Sequence, residues 1–294
     1  KEGVSNIDDA DKKLAQELSD CLWAILIIAD DYNVDLEKSF IETMTEIEQT
    51  LKALRLPGMR RTLEARALEA VQERLPFLDV FSMLLQDEMD RRQSALSERR
   101  FALSGLAENK TLTDFDWQFN PKIPRRACFE LLALKFIESR EDALLIGPPG
   151  TGKSHVAKAV AHAAILAGHR VFYREAHEYF GEVYQAKTLG TLKKLAHQIR
   201  GADLVVLDDL FLRKLPADAG EELIELVMNR YEKASTVITS NRPVEDWPKL
   251  VGDVVATAPI FDRLMHHGHL LKFEGRSYRL KEAAARLANR SGSE

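Results

Sequence analysis

The chain has 294 residues, 45% of them hydrophobic and 30% charged, with a formal net charge of −5. This balance fits an ordinary soluble protein and excludes disordered and collagen-like classes. The longest apolar run, around Trp23–Ala29, is far short of the roughly 20 residues a membrane-spanning helix needs, so no membrane partner is expected.

The first twenty residues are polar and acidic and do not read as a signal peptide. Two cysteines, Cys21 and Cys128, with no CxxC pair, suggest neither a disulfide framework nor a zinc site. A reducing cytoplasm is the expected location. The charge is uneven. Residues 1–51 hold four Lys/Arg against thirteen Asp/Glu, a net of −9, which leaves +4 on the remainder.

Residues 1–11 read as a mobile lead-in. From Lys12 to Asp31 the apolar residues Leu14, Leu18, Leu22, Ile25 and Ala29 recur at helical spacing. After a break at Tyr32-Asn-Val-Asp35, a second helix is expected, capped by Asp35 and with Leu36, Phe40, Met44 and Ile47 on one face. Glu17 and Asp20 lie one turn apart. The segment 17–23 with the Ala-Asp-Asp-Tyr-Asn-Val-Asp-Leu-Glu-Lys-Ser-Phe that follows resembles the second half of a MazG-like nucleotide pyrophosphohydrolase. The resemblance implies Glu17 and Asp20 as half of a Mg²⁺ site. The other half, an E-E-x-x-E helix, is absent, so residues 1–50 read as a hairpin fragment and not as a working hydrolase.

From Leu51 the character changes. Leu-Lys-Ala-Leu-Arg-Leu-Pro-Gly-Met (51–59) is expected to turn at Pro57-Gly58. Helices are predicted over Arg60–Glu73 and Phe77–Arg92. Ten basic residues recur here: Lys52, Arg55, Arg60, Arg61, Arg66, Arg74, Arg91, Arg92, Arg99 and Arg100. Eight acids accompany them, so either phosphate contact with duplex DNA or a solvated helical collar would account for the composition. Leu103 to Pro124 lacks periodicity, but Phe115 and Trp117 are too apolar for a linker and should pack on the next domain.

Beyond Arg125, strands alternate with helices, which implies a parallel sheet. A helix over Cys128–Phe136 leads to a strand at Ala143–Ile146. Then comes Gly147-Pro-Pro-Gly-Thr-Gly-Lys-Ser154, which fits the phosphate-loop pattern G-x-x-x-x-G-K-[ST]. A helix over Lys153–Leu166 follows. Strand, glycine loop and helix together let backbone N–H groups wrap a polyphosphate at a helix N-terminus. Gly147, Gly150 and Gly152 keep side chains out of the way, with Pro148, Pro149, Thr151 and His155 completing the loop. Lys153 would neutralise the β/γ oxygens of ATP, and the Ser154 hydroxyl would bind Mg²⁺.

A second strand is predicted at His169–Tyr173, helices at Glu175–Gln185 and Leu189–Ile199, and a third strand at Ala202–Leu207. That strand runs into Asp208, expected to hold Mg²⁺, and Asp209, expected to polarise the attacking water. After a helix over Ala219–Ala234, the fourth strand, Thr236–Asn241, ends in an amide placed to orient water or sense the γ-phosphate. Arg230 and Arg263 each could reach a neighbouring subunit's γ-phosphate as an arginine finger; position alone splits them evenly. A helix over Pro259–His267 and a last strand at Leu270–Phe273 complete the pattern.

These pieces resemble the AAA+ ATPases, and within them the IstB-like and DnaC-like group. The residues that carry the likeness are 51–59, Phe-Asp-Trp-Gln-Phe-Asn-Pro (115–121), the phosphate loop, Asn-Arg-Tyr-Glu (229–232), Thr-Ser-Asn-Arg-Pro (239–243), Phe-Asp-Arg-Leu-Met-His-His-Gly-His (261–269) and Ser277-Tyr-Arg279. The resemblance runs from about Leu51 to Leu280 and implies an α/β P-loop ATPase behind an all-α N-terminal region. It implies Arg263 as the finger in trans, ATP and Mg²⁺ as cofactors, and a helical domain that contacts DNA. It also implies that only one short helix follows Arg279 in place of a full helical lid. The expected organisation is a hairpin over 1–50, a DNA-binding helical domain over 51–121, the ATPase over 122–282 and a tail over 283–294. The expected function is a transposition helper that forms a ring or spiral on duplex DNA and presents it to a transposase. The alternatives are a DnaC-like helicase loader and, from the first fifty residues, a nucleotide pyrophosphohydrolase.

Overall fold

A computed structural model of the chain describes residues 4–216, 218–251, 263, 264, 266 and 268–291. Contacts divide it into two units, Lys1–Gln93 and Ser94–Glu294.

The first unit is helical: α1 (Val4–Asp31), α2 (Leu36–Ala53), α3 (Pro57–Glu73) and the start of α4 (Phe77–Ser104). The expected lead-in is therefore helical from Val4, because no Gly or Pro interrupts the chain after Gly3. Asp35 caps α2 as expected, accepting from the Lys38 N–H at 2.9 Å. The expected turn at Pro57-Gly58 lies earlier, at Arg55, whose φ is +58°. Pro57 instead opens α3, where its missing N–H costs nothing.

Leu51, Met59 and Leu84 form a small core flanked by Leu56, Leu63 and Val80. Gly58 lets α3 approach α4 closely: a Cβ there would sit 2.7 Å from the Glu88 Cα. The Gly58 N–H donates to the Glu88 carboxylate at 2.6 Å. Arg66 forks onto Asp87 at 2.8 and 2.9 Å, and Arg92 pairs with Glu88. These two of the ten basic residues are thus engaged inside the collar. Glu17 and Asp20 are exposed on α1, and Asp20 accepts from Gln16 at 3.2 Å. Among the described residues no group of three or more His, Cys, Asp or Glu is placed to hold a metal, and no helix is long and apolar enough to cross a membrane.

In the second unit α4 continues to Ser104, past its expected end at Arg92, since no breaker occurs before Gly105. The irregular segment 105–124 follows. The helix expected over Cys128–Phe136 is two: α5 (Arg125–Leu132) and α6 (Lys135–Ser139), separated at Leu134, whose φ is +62°. The next elements are β1 (Asp142–Ile146), α7 (Lys153–Leu166), β2 (Val171–Glu175), α8 (Ala176–Thr188), α9 (Leu192–Gly201), β3 (Leu204–Leu210), α10 (Ala219–Arg230) and β4 (Ser235–Ser240). After them come α11 (Trp247–Val251), β5 (Gly268–Lys272) and α12 (Tyr278–Ser291). The helix expected over Pro259–His267 falls mostly outside the described residues; Arg263, Leu264 and His266 are helical.

The five strands are all parallel, in the order β2-β3-β4-β1-β5. Both faces are buried, as a parallel sheet requires. Alternate residues serve alternate layers: Ala143, Leu145, Leu204, Val206 and Val237 meet α5 and α7. Leu144, Val205, Leu207 and Ile238 meet α8, α9 and α10. Phe115 and Trp117 pack against the α5/α7 layer.

Candidate nucleotide site

The carboxyl ends of β1, β3 and β4 converge on one cleft of about 440 Å³, within the usual range for a small-molecule site. Pro149, Gly150, Thr151, Gly152, Lys153, Ser154 and His155 line it, with Asp209 and Asn241 from the neighbouring strand ends. Gly147 and Pro148 line a separate groove of about 390 Å³ beside Pro243 and Phe273.

The loop's shape depends on glycine. Gly150 has φ +77°, and a Cβ there would lie 2.1 Å from the Ser277 hydroxyl. Gly152 has φ +103° and would strike the Phe115 ring at 2.4 Å. The first N–H groups of α7 face this loop without intrahelical acceptors, as at any helix start. Thr151 braces the turn by donating to the Pro148 carbonyl at 2.8 Å.

Lys153 is 3% exposed, and its ammonium donates to the carbonyls of Gly147 and Pro148 at 2.8 and 2.9 Å. Burial lowers its pKa from 10.5 to about 8, against the pull of Asp209 and Asp208. Asp209 is displaced the other way: burial and the adjacent Asp208 charge raise its carboxyl above the ordinary range, despite Lys153 and Arg279.

The two aspartates differ because the strand bulges between them. Leu207 pairs with Ile238 and Leu210 with Ser240, so Asp208 and Asp209 both oppose Thr239. Asp209 takes φ +55°. The extra residue turns Asp209 into the cleft and keeps Asp208 behind it, 2% exposed. The Asn241 Oδ1 is buried and has no hydrogen-bond partner. An orphaned polar atom on the cleft wall suits a site built for a polar ligand.

His155 turns from the loop to the 105–124 segment: its Nε2 lies 2.7 Å from the Thr111 carbonyl, and its ring meets Phe115 edge-on. Arg263 is half-buried with its guanidinium 5.5 Å from the Tyr231 ring centroid, and it does not line the cleft. Arg230, its rival, is 2% exposed. It donates to Thr236, Ile199, Ala202, Asp203 and Ser235. A guanidinium spent this way is a clamp on the sheet.

Sequence reasoning missed half the cleft wall. Phe115, Phe119 and Asn120 of the 105–124 segment line it, and so do Tyr278 and Arg279 at the start of α12. The two segments are tied together. The Asn120 side chain accepts from the Arg276 N–H at 2.9 Å and donates to the Arg276 carbonyl at 2.8 Å. Asp116 pairs with Lys281 at 2.9 Å, and Phe119 meets Tyr278 edge-on. The Tyr278 N–H also holds the Gly150 carbonyl at 2.9 Å. The signal was present in the 115–121 and 277–279 motifs, but neither has a periodicity that points to a cleft.

A five-stranded parallel sheet with a phosphate loop after β1, a carboxylate pair after β3 and a polar residue after β4 defines a nucleoside-triphosphate-binding protein of the P-loop class. Its relatives narrow the class. Residues 49–286 match the family described as IstB-like ATP binding protein, and the chain belongs to that family. It is 35% identical over 239 residues to a Pseudomonas aeruginosa protein named for ATP binding and for insertion sequence IS21, covering 81% of this chain and 90% of that one. It is 31% identical over 236 residues to the corresponding protein of IS5376 from Geobacillus stearothermophilus, covering 80% and 94%. Among solved structures, AMPPCP-bound DnaA from Aquifex aeolicus aligns over 63% of this chain and 56% of its own, at 23% identity and a TM-score of 0.47.

Proposed function

We propose that this chain is an ATP-hydrolysing transposition helper that assembles on duplex target DNA and offers it to a transposase. The single observation that carries the reading is the cleft of an IstB-like chain, with Lys153, Ser154, Asp209 and Asn241 on one wall. In this reading the amides at the start of α7 and Lys153 hold the β- and γ-phosphates of ATP. Ser154 and Asp208 would hold Mg²⁺, which when bound neutralises charge on the phosphate oxygens. The raised Asp209 takes a proton from the attacking water as the bond from the γ-phosphorus to the bridging oxygen breaks. Asn241 orients that water. Arg263 of one subunit completes the site of the next, since Arg230 is committed within its own.

The helical region 51–121 is the proposed DNA-contacting domain, through Lys52, Arg55, Arg60, Arg61, Arg74, Arg91, Arg99 and Arg100. ATP assembles the ring or spiral on DNA, and hydrolysis dismantles it. The acidic segment 1–51 repels DNA.

The test is duplex DNA binding with ATP, without it, and in Lys153→Ala. Tight binding is expected only in the first case, and equal binding in all three refutes the switch. A strong preference for single-stranded over duplex DNA would favour a helicase loader. Release of pyrophosphate from a nucleoside triphosphate would favour a hydrolase in residues 1–50.

A further inference from the structure

Asp208 accepts three hydrogen bonds, and two of its donors come from strands that carry no phosphate-loop residue. Tyr173 on β2 donates its phenol proton to Oδ2 at 2.6 Å. Thr239 on β4 donates its hydroxyl proton to Oδ1 at 2.5 Å. The Asp209 N–H reaches Oδ1 as well, at 3.1 Å, while also donating to the Thr239 Oγ1 at 2.8 Å. All three side chains are buried: Tyr173 is 5% exposed, Asp208 2% and Thr239 not at all.

A carboxylate offers about four acceptor positions. Three are taken: both on Oδ1 and one on Oδ2. One position on Oδ2 remains, which suits a single O–H donor.

We propose that Tyr173 and Thr239 are positioning residues: they fix the orientation of Asp208, the carboxylate that would help to hold Mg²⁺ when a Mg²⁺–nucleotide is bound. Thr239 acts twice. Its hydroxyl fixes Asp208 and at the same time accepts the Asp209 N–H that the bulge removes from the regular ladder. One hydroxyl therefore sets the metal-side carboxylate and the backbone of the water-side carboxylate together. The inference rests on the reading of the cleft given above and adds to it the residues that aim its carboxylates. Partners of this kind behind a metal-side group change metal affinity or activity by roughly 10–100-fold when removed.

The experiment uses the full chain and a non-hydrolysable ATP analogue, with Mn²⁺ in place of Mg²⁺ so that binding is read by electron paramagnetic resonance. Analogue affinity is measured in EDTA and in Mn²⁺. Tyr173→Phe and Thr239→Val are expected to bind the metal-free analogue within about twofold of wild type and Mn²⁺–analogue 10–100-fold more weakly. Thr239→Ser, which keeps the hydroxyl, is expected to restore Mn²⁺ affinity. Wild-type Mn²⁺ affinity in both variants overturns the proposal. So does a loss of metal-free affinity in the same proportion, since that marks a merely structural role. Failure of the wild-type chain to bind Mn²⁺–analogue at all overturns the reading of the cleft itself.

Discussion

Replacing Lys153 by Met should make the nucleotide-free protein more stable while abolishing its response to ATP. The ammonium is 3% exposed, and its pKa falls from 10.5 to about 8, chiefly by burial. That fall corresponds to a cost of about 3 kcal/mol for keeping the charged form folded at pH 7. Met has a similar reach and no charge to desolvate. Its loss of the bonds to the Gly147 and Pro148 carbonyls offsets about half the gain, leaving roughly 1–2 kcal/mol. In a domain of this size that raises Tm by roughly 2–8 °C.

The pH dependence has a definite sign. A lysine with a depressed folded pKa carries its full cost below about pH 8, and the cost fades as pH rises to 10.5. The advantage of the variant therefore shrinks across that window. Saturating ATP, at about 100 times Kd, should stabilise the wild type by about 2.7 kcal/mol and the variant not at all. Thermal denaturation with and without ATP, at pH 7 and pH 10, measures all of this. A variant less stable than wild type without nucleotide, or one stabilised equally by ATP, refutes the reasoning.

Asp209→Asn should lower ATP turnover by roughly 10²–10⁴-fold with ATP affinity kept within a few-fold, read by phosphate release and equilibrium binding. Arg230→Met should destabilise the fold by roughly 3–5 kcal/mol in urea denaturation, because it leaves four carbonyls and the Thr236 hydroxyl without their buried donor and removes the positive charge that acts on Asp142. Asp142 is itself raised from 3.8 to about 6 by burial, so the stability its protonated form supplies is full below pH 4 and is lost as pH rises through 6. Relative to Asp142→Asn, the wild type should thus lose about 2 kcal/mol between pH 4 and pH 7, measured by denaturation at both values.

The strand-loop-helix core was legible because its signals are local. An apolar run, glycines at fixed offsets and a breaker-free helix place the phosphate loop, and α7 spans the predicted Lys153–Leu166. Short apolar runs located β3 to within three residues and β4 to within one. What escaped was long-range. Nothing in Leu-Val-Val-Leu-Asp-Asp announces that the strand takes one residue more than its neighbour, yet that bulge separates the roles of Asp208 and Asp209. Arg230 and Arg263 read alike because burial, which distinguishes them, is a property of the packed sheet. Phe115 was noticed as a packing residue, but its contact with Gly152 joins positions 37 apart in sequence. The turn expected at Pro57-Gly58 failed for a different reason: the same dipeptide can open a helix, and the close approach to Glu88 decides between the two.

The ties from Asn120 to Arg276 and from Asp116 to Lys281 bear on how the protein is cut for study. A minimal fragment begun at α5 would retain every strand of the sheet and the whole phosphate loop. It would nonetheless be a purse without its drawstring: the stretch before α5 and the last helix brace one another, and deleting either leaves the other without its anchor. Affinity handles belong on flexible extensions well clear of both, and weak nucleotide retention by a trimmed fragment reports on the trimming before it reports on Lys153.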